Sequence, residues 1–219
     1  MFIGHYGVSF AAKRIAPSIP LWVLFVAVQL LDVLWAPFVL LGIEKVRIVP
    51  GITASNPLDL YYMPYTHSLL AALLWSAGAL LAYRWLARRR CRPMAALVVG
   101  LAVLSHWILD FVVHRPDLAL YDDAVKVGLG LWNLPTVALA LEAALLFGGM
   151  WLYLGVVAAP HRPMVIFGLV MLAIQVYVFF GPPPVSDRAA AWTALAAYAV
   201  FGAVAARLEQ RQPAPKGTA

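Results

Sequence analysis

The chain has 219 residues, of which 63% are hydrophobic and 12% are charged, and its formal net charge is +6. Soluble domains average roughly 45–50% apolar and about 25% charged residues, so this composition excludes a soluble globular protein and predicts an integral membrane protein. The single cysteine, Cys91, excludes an internal disulfide framework and a metal site made of cysteines alone. Any metal must therefore be held by histidine and carboxylate side chains.

The segment before the first apolar stretch predicts a short helix from about Ile3 to Ala16, which Pro17 and Pro20 end. Such a helix is too short to cross a bilayer, and two placements remain open. It can be a re-entrant half-helix that packs against the first span, or an amphipathic helix that lies on the membrane surface. A hairpin would pair positions whose numbers sum to about 37, which brings His5 beside Asp32.

Apolar stretches of about 20 residues follow one another along the rest of the chain. They are Leu21 to Ile43, His67 to Ala87, Met94 to Val113, Trp132 to Ala158, Met164 to Phe180 and Ala189 to Ala206. Each stretch predicts a membrane-spanning α-helix, because unpaired backbone groups cannot face hydrocarbon. The sequence therefore predicts an all-α polytopic transmembrane bundle of about six spans. It forms one domain over residues 1–207, and a disordered cytoplasmic tail follows over 208–219.

Basic residues predict the orientation of the spans. Four arginines crowd the short loop between the second and third spans, which places this loop on the cytoplasmic side by the positive-inside rule. They are Arg88, Arg89, Arg90 and Arg92, and alternation of the spans adds Lys13, Arg14, Arg162, Arg207, Arg211 and Lys216 to the same side. We expect the termini on the cytoplasmic side of their spans, and membrane lipids rather than nucleic acid as the partners of this positive charge.

Few ionisable side chains lie inside the predicted spans. They are Asp32, His67, His106, Asp110 and Glu142. Each charged group costs about 2.5–3.5 kcal/mol at the centre of a membrane helix, which makes each residue a functional candidate. Counted from the outer ends at about 1.5 Å per residue, all five lie in the outer half of the membrane. A single pocket that opens on the outer face requires this common depth.

His106 and Asp110 lie one helical turn apart and share one helix face. The pair can present one nitrogen and one oxygen to the same ion, and such mixed ligation suits zinc or another divalent first-row metal. A divalent ion compensates the buried carboxylates and lowers the pKa of a bound water toward about 7, which supplies hydroxide for hydrolysis. With His5 included, the candidates exceed the four ligands of one tetrahedral zinc. One metal with a carboxylate base, or two metals, would use them all.

Each candidate also has a structural alternative. His67 can be an interfacial residue of the aromatic belt, and His106 and Asp110 can hydrogen-bond each other and neighbouring helices. Glu142 can serve helix packing or a proton relay. Independent packing residues have no reason to share one depth, so their coincidence favours a common site.

Several polar residues lie at the outer interface. His114 and Arg115 are candidates for binding an anionic substrate head group, beside the alternative of a solvated loop. The loop aspartates are expected to be solvated: they are Asp59, Asp117, Asp122 and Asp123. His161 lies in a predicted cytoplasmic turn, so we place it outside the site.

Four short motifs resemble those of a known family. They are GHYGVSFAAKR, LLDVLW, PYTHSLL and SHWILDFVVHRPD, in this order along roughly the first 120 residues. The set resembles the YdjM-like group of bacterial inner-membrane proteins, described as membrane-bound metal-dependent hydrolases. The resemblance implies that the metal ligands are His5, Asp32, His67, His106 and Asp110. The order of motifs is more distantly similar to all-α zinc-dependent phospholipase C and P1-nuclease enzymes, which bind several zincs and cleave phosphoesters.

Two classes of function follow from these residues. The first is a metal-dependent hydrolase of the inner membrane that attacks an ester or phosphoester, lipid or lipid-linked, at the outer leaflet. Glu142 or Asp32 would then be the general base, and Arg115 would steer the substrate. The second is a non-enzymatic membrane protein with an intramembrane metal or proton site, either a transporter or a scaffold.

Transport would require polar residues that continue to the cytoplasmic face. Below Asp32 the spans offer mainly Gln29, Trp75 and Ser76, which favours the hydrolase. A haem with His67 and His106 as axial ligands is a third possibility. The neighbouring carboxylates and the lack of a haem-attachment motif count against it.

Overall fold

The structure is a computed structural model that describes residues 1–87, 93–156 and 161–210. Within these residues the helices are α1 (Ile3–Ile15), α2 (Leu21–Val28), α3 (Leu30–Leu40), α4 (Leu69–Ala87), α5 (Pro93–Val113), α6 (Pro135–Leu154), α7 (His161–Phe180) and α8 (Asp187–Gln210). Two antiparallel hairpins pair β1 (Lys45–Ile48) with β2 (Leu58–Tyr62) and β3 (Leu118–Tyr121) with β4 (Ala124–Val127). The all-α polytopic bundle is confirmed, and the small hairpins are an addition that the sequence did not predict.

Five of the described helices, α4 to α8, are long and apolar enough to cross a membrane. The first predicted span is instead divided into α2 and α3, which are bent by 55° and pass the same test only together. The break falls at Gln29, whose backbone has φ −107° and ψ 7° and leaves the helical path. In place of the expected continuous helix from Leu21 to Ile43, the structure therefore has two helices that meet at an angle.

Helix α1 is enclosed by the bundle. Its 13 residues rise about 20 Å, less than the roughly 30 Å of a hydrocarbon core. Nine of these residues are buried, and the helix packs mainly on α6 and also on α2 and α5. Of the two placements open at the level of the sequence, the structure shows the helix within the bundle.

The register of α1 against α2 differs from the predicted one. Two hydrogen bonds fix it: Ser9 Oγ donates to the Leu24 carbonyl at 3.0 Å, and Gln29 Nε2 donates to the Phe2 carbonyl at 3.2 Å. The residue numbers of these partners sum to 33 and 31 instead of about 37. His5 therefore faces the last turn of α2 instead of Asp32. The physical reason is the bend, which carries Asp32 away from the axis of α2 on α3.

Helices α1 and α6 touch backbone to backbone. A Cβ atom built at Gly149 would collide with the backbone of Gly7, and one built at Gly7 would collide with the backbone of Leu145. Small residues allow such close approach, as is common between membrane helices. The contact fixes the position of α1 along the bundle.

Both hairpins lie at one end of the bundle, which we call the hairpin end. Lys126 Nζ connects them by donating to the Tyr61 carbonyl at 2.7 Å. At the opposite end Lys13 Nζ donates to the Pro17 carbonyl at 2.8 Å and pairs with Glu209 at 2.5 Å, which ties α1 to α8. Helix α8 continues to Gln210, so the first three residues of the expected tail are helical. The arginine cluster at 88–92 and the tail from 211 lie outside the described residues.

Candidate metal centre

The structure brings together all five residues that the sequence predicts as metal ligands, and we call them the cluster. They are His5 on α1, Asp32 on α3, His67 just before α4, and His106 and Asp110 on α5. In two groups the ligand atoms all lie within 4.8 Å of one another: His5 with His106 and Asp110, and Asp32 with His67 and His106. Buried histidines and carboxylates at this spacing can hold a metal ion.

Asp110 lies at the middle of the cluster, and its two carboxylate oxygens face four histidines. The distances to the Nε2 atoms are 3.1 Å to His106, 3.2 Å to His5, 3.6 Å to His114 and 3.9 Å to His67. The amino group of Met1 also contacts Asp110 Oδ1. The side chain is 3% exposed, so the low-dielectric surroundings strengthen each of these interactions.

Two histidines and two aspartates alternate around one point. His67 Nε2 lies 3.2 Å from Asp32 Oδ1 and 3.9 Å from Asp110 Oδ2. His106 Nε2 lies 3.7 Å from Asp32 Oδ1 and 3.1 Å from Asp110 Oδ2. Ligands held at about 2.0–2.2 Å from a tetrahedral zinc lie roughly 3.3–3.6 Å from one another. The four nitrogen-to-oxygen distances bracket this spacing, and the ligand atoms of Asp32, His67 and His106 lie within 4.8 Å of one another, so these three side chains can hold one divalent ion with Asp110 beside it.

Hydrogen bonds on the far side of three imidazoles aim their Nε2 atoms at the cluster. The Nδ1 contacts are His106 to the Val28 carbonyl at 2.7 Å, His67 to Thr66 Oγ1 at 2.7 Å and His114 to Asp117 Oδ1 at 2.8 Å. A carbonyl or a carboxylate can only accept, so His106 and His114 donate their Nδ1 protons and keep Nε2 free. Metal-binding histidines are held by partners of this kind.

The break in the first span supplies the acceptor for His106. In an uninterrupted helix the Val28 carbonyl would accept from the backbone N–H four residues later. The turn at Gln29 leaves this carbonyl to the imidazole instead. Irregular backbone at membrane depth is tolerated where it is buried in protein, and here it orients a candidate ligand.

Glu44 and Thr66 extend the cluster toward the hairpin end. Thr66 Oγ1 donates to Glu44 Oε2 at 2.6 Å, and the same carboxylate accepts two backbone N–H groups, from Tyr65 and Thr66, at 2.9 Å. Because the hydroxyl proton is used on Glu44, Thr66 accepts the Nδ1 proton of His67. Burial raises the pKa of the Glu44 carboxyl, against the opposing effects of His67 and of these hydrogen bonds. Sequence reasoning missed both residues, although Thr66 stands in the PYTHSLL motif.

We expect Thr66→Val to weaken zinc binding about 10–100-fold, because His67 loses the partner that fixes its ring and its tautomer. Zinc titration against a competing chelator measures this change. Thr193→Val is the matched control, since the Thr193 hydroxyl donates to the Ala189 carbonyl on an exposed face of α8. Equal affinities in the two variants would contradict the role of Thr66.

His114 and Arg115 occupy places that differ from the expected substrate-binding loop. His114 is buried, its Nε2 faces Asp110, and its ring packs against Trp132 with centroids 4.2 Å apart. It therefore contacts the central carboxylate of the cluster, one helical turn after Asp110, and its predicted role in substrate binding stays a prediction. Arg115 pairs with Asp59 and Asp117, and its side chain is one-third exposed. Its contact with a substrate stays a prediction.

Two of the loop aspartates are buried, so the expectation that they are solvated was wrong for them. Asp59 is 4% exposed and binds Arg47 at 2.6 Å as well as Arg115, and Asp117 is 6% exposed. The physical reason is that the loops fold into hairpins over this end of the bundle. Asp122 is exposed, as expected.

Glu142, one predicted general base, is buried beside the cluster and held by N–H donors. Its Oε2 accepts from the backbone of Phe2 at 2.9 Å and of Gly4 at 3.1 Å, and its Oε1 accepts from Gln175 Nε2 at 3.0 Å. A carboxylate here satisfies the free N–H groups at the start of α1 and complements the helix dipole. Glu142 thus positions the helix that carries His5, and its catalytic role stays a prediction.

Comparison with protein-family models, with curated proteins and with solved structures finds no match for this chain. The interpretation of the cluster therefore rests on its own geometry, and the likeness to YdjM-like proteins stays a hypothesis. His161, which the sequence placed outside the site, is exposed at the start of α7.

Proposed function

We propose that this protein is a metal-dependent hydrolase that holds a divalent ion, zinc first among the candidates, in the cluster. The observation that carries the proposal is the alternation of His67, Asp32, His106 and Asp110 at nitrogen-to-oxygen distances of 3.1–3.9 Å. The hydrogen bonds at the Nδ1 atoms of His106 and His67 support it, because they orient the Nε2 atoms toward the cluster before any ion binds. Nitrogen and oxygen ligands together suit zinc better than copper(I) or iron–sulfur clusters.

When bound, such an ion supplies a Lewis acid and lowers the pKa of water toward about 7. The side chains around it then have separable tasks. His67, His106 and Asp32 Oδ1 hold the ion with Asp110 beside them, and the burial of the two histidines keeps bulk water away from it. Asp32 is the cluster carboxylate with accessible surface, so water and substrate reach the ion on its side.

The proposed substrate is an ester or phosphoester of a lipid or a lipid-linked compound. The cluster lies among apolar helices toward the hairpin end of the bundle, where a membrane-resident substrate can reach it. The excess of basic residues predicted for the opposite end supports a hairpin end at the outer leaflet of a bacterial inner membrane.

A second candidate is a non-enzymatic scaffold whose cluster is a hydrogen-bonded polar network. The observation that favours it is that the histidines and Asp110 contact one another at 0–4% side-chain exposure. Transport is disfavoured, because the polar groups of the expected path donate to backbone carbonyls. They are Gln29 to Phe2, Trp75 to Tyr65 and Ser76 to Gly100.

Metal removal separates these candidates. We expect zinc at about 100 times its dissociation constant to raise the unfolding temperature of the chelator-treated protein by roughly 5–10 °C, through binding to the folded state alone. Release of phosphate or fatty acid from phospholipids in detergent micelles should then stop with chelator and resume with zinc. Absence of both effects would favour the scaffold. A thermal shift without turnover would show that the metal has a structural role and would refute the hydrolase.

A further inference from the structure

We infer that Tyr198 is a positioning residue of the metal centre, which holds the carboxylate of Asp32 so that only one of its oxygens is available to the ion. The inference rests on the proposed function in so far as that function requires a metal in the cluster. Tyr198 lies on α8, beyond the part of the chain whose motifs carry the family resemblance.

The two oxygens of Asp32 have different partners. Oδ2 accepts a hydrogen bond from the Tyr198 hydroxyl at 2.7 Å. Oδ1 faces the cluster, 3.2 Å from His67 Nε2 and 3.7 Å from His106 Nε2. An ionised carboxylate has no proton to donate, so the phenol is the donor. The hydrogen bond therefore turns Oδ1 toward the histidines and retains Oδ2 on α8.

The orientation of Asp32 decides how many ligand positions remain open. A carboxylate can bind a metal ion through one oxygen or through both. A hydrolytic zinc site keeps one position for water or substrate, and a second oxygen from Asp32 would occupy it. A phenol that engages Oδ2 prevents this, and so preserves the open position.

Tyr198 also stands where the cluster is accessible. The Asp32 side chain is 17% exposed, whereas those of His5, His67, His106 and Asp110 are 0–4% exposed. The Tyr198 ring is half-buried and packs 6.1 Å from the ring of Phe2, which restricts its movement. The residue that orients Asp32 therefore lies at the edge from which a substrate would approach.

The test is the visible spectrum of the full-length protein loaded with cobalt(II), whose absorption weakens as its coordination number rises. We expect Tyr198→Phe to bind cobalt with a weaker and shifted spectrum, because Asp32 then binds through both oxygens. Affinity should fall about 10–100-fold, as for other partners of metal ligands. Tyr177→Phe is the control: it makes the same chemical change at an exposed position of α7 and should leave the spectrum unchanged.

An Asp32→Asn background adds a second variant, because a neutral amide does not bind through two oxygens. There, Tyr198→Phe should cause no further spectral change. Three outcomes would overturn the role of Tyr198 but not the metal centre. They are a wild-type spectrum in Tyr198→Phe, a spectral change that persists in the Asp32→Asn background, and an unfolded Tyr198→Phe protein. A wild-type protein that binds no cobalt would instead overturn the metal centre itself.

Discussion

Replacement of Asp110 by alanine is expected to abolish metal binding completely. Asp110 is the carboxylate on which the cluster converges, with Nε2 atoms of four histidines at 3.1–3.9 Å. Without it, the group of His5 and His106 loses its only carboxylate, and the group of Asp32, His67 and His106 loses a neighbouring negative charge. The remaining imidazoles also lose the negative charge that compensates a divalent ion in a buried site.

Elemental analysis of protein purified without added metal measures this effect. We expect about one or two equivalents of a divalent metal in the wild type, as one or two ions fit the candidate ligands, and none in Asp110→Ala. His106→Ala should behave like Asp110→Ala, and His161→Ala, at an exposed position, should keep the wild-type content. Full metal content in both cluster variants would show that the ion binds elsewhere. If the wild type contained no metal, the cluster would be interpreted as a hydrogen-bonded polar network.

The membrane class and the cluster are readable from the sequence because both depend on local quantities. The high share of apolar residues indicates that the helices lie in a membrane. The depth of each ionisable residue along its own span then places Asp32, His67, His106 and Asp110 in the outer half of the membrane before any packing is known. Residues that are costly in hydrocarbon and share one half of the membrane are candidates for a common site, and the structure brings these together.

The features that the sequence did not indicate depend on contacts between distant segments. The break at Gln29 has no proline or glycine beside it. The Val28 carbonyl that it frees accepts from His106 on α5, and the Gln29 side chain donates to the Phe2 carbonyl. The roles of Glu44 and Tyr198 likewise appear only when a loop and α8 are folded against the cluster. Periodicity and depth along a single helix carry no information about such partners.

The placement of α1 lies between these cases. Its length excludes a complete span, but its composition fits both a surface helix and a buried one. The contact of Gly7 with Gly149 on α6 decides the question, because only a helix packed against another needs such close approach. The carboxylate of Glu142 on α6 supports the same placement, because it accepts hydrogen bonds from the backbone at the start of α1.

Gly149→Ala is therefore expected to have the second large effect. The new methyl group would overlap the backbone of Gly7, which cannot rotate away as a side chain can. Helix α1 must shift, and His5, whose ring stacks on His106 with centroids 3.9 Å apart, must shift with it. Overpacking of this kind costs about 1–3 kcal/mol, and the displaced His5 should also lower zinc affinity.

The neighbouring glycine provides the control for this prediction. Gly148 is exposed, and a Cβ built there meets nothing within 4 Å, so Gly148→Ala should keep the unfolding temperature and the zinc affinity of the wild type. Thermal unfolding in detergent, with and without zinc, compares the two variants. If Gly149→Ala were as stable as Gly148→Ala, the close contact of α1 with α6 would be refuted. A loss of stability without a loss of zinc affinity would show that α1 supports the bundle but that His5 is dispensable for the ion.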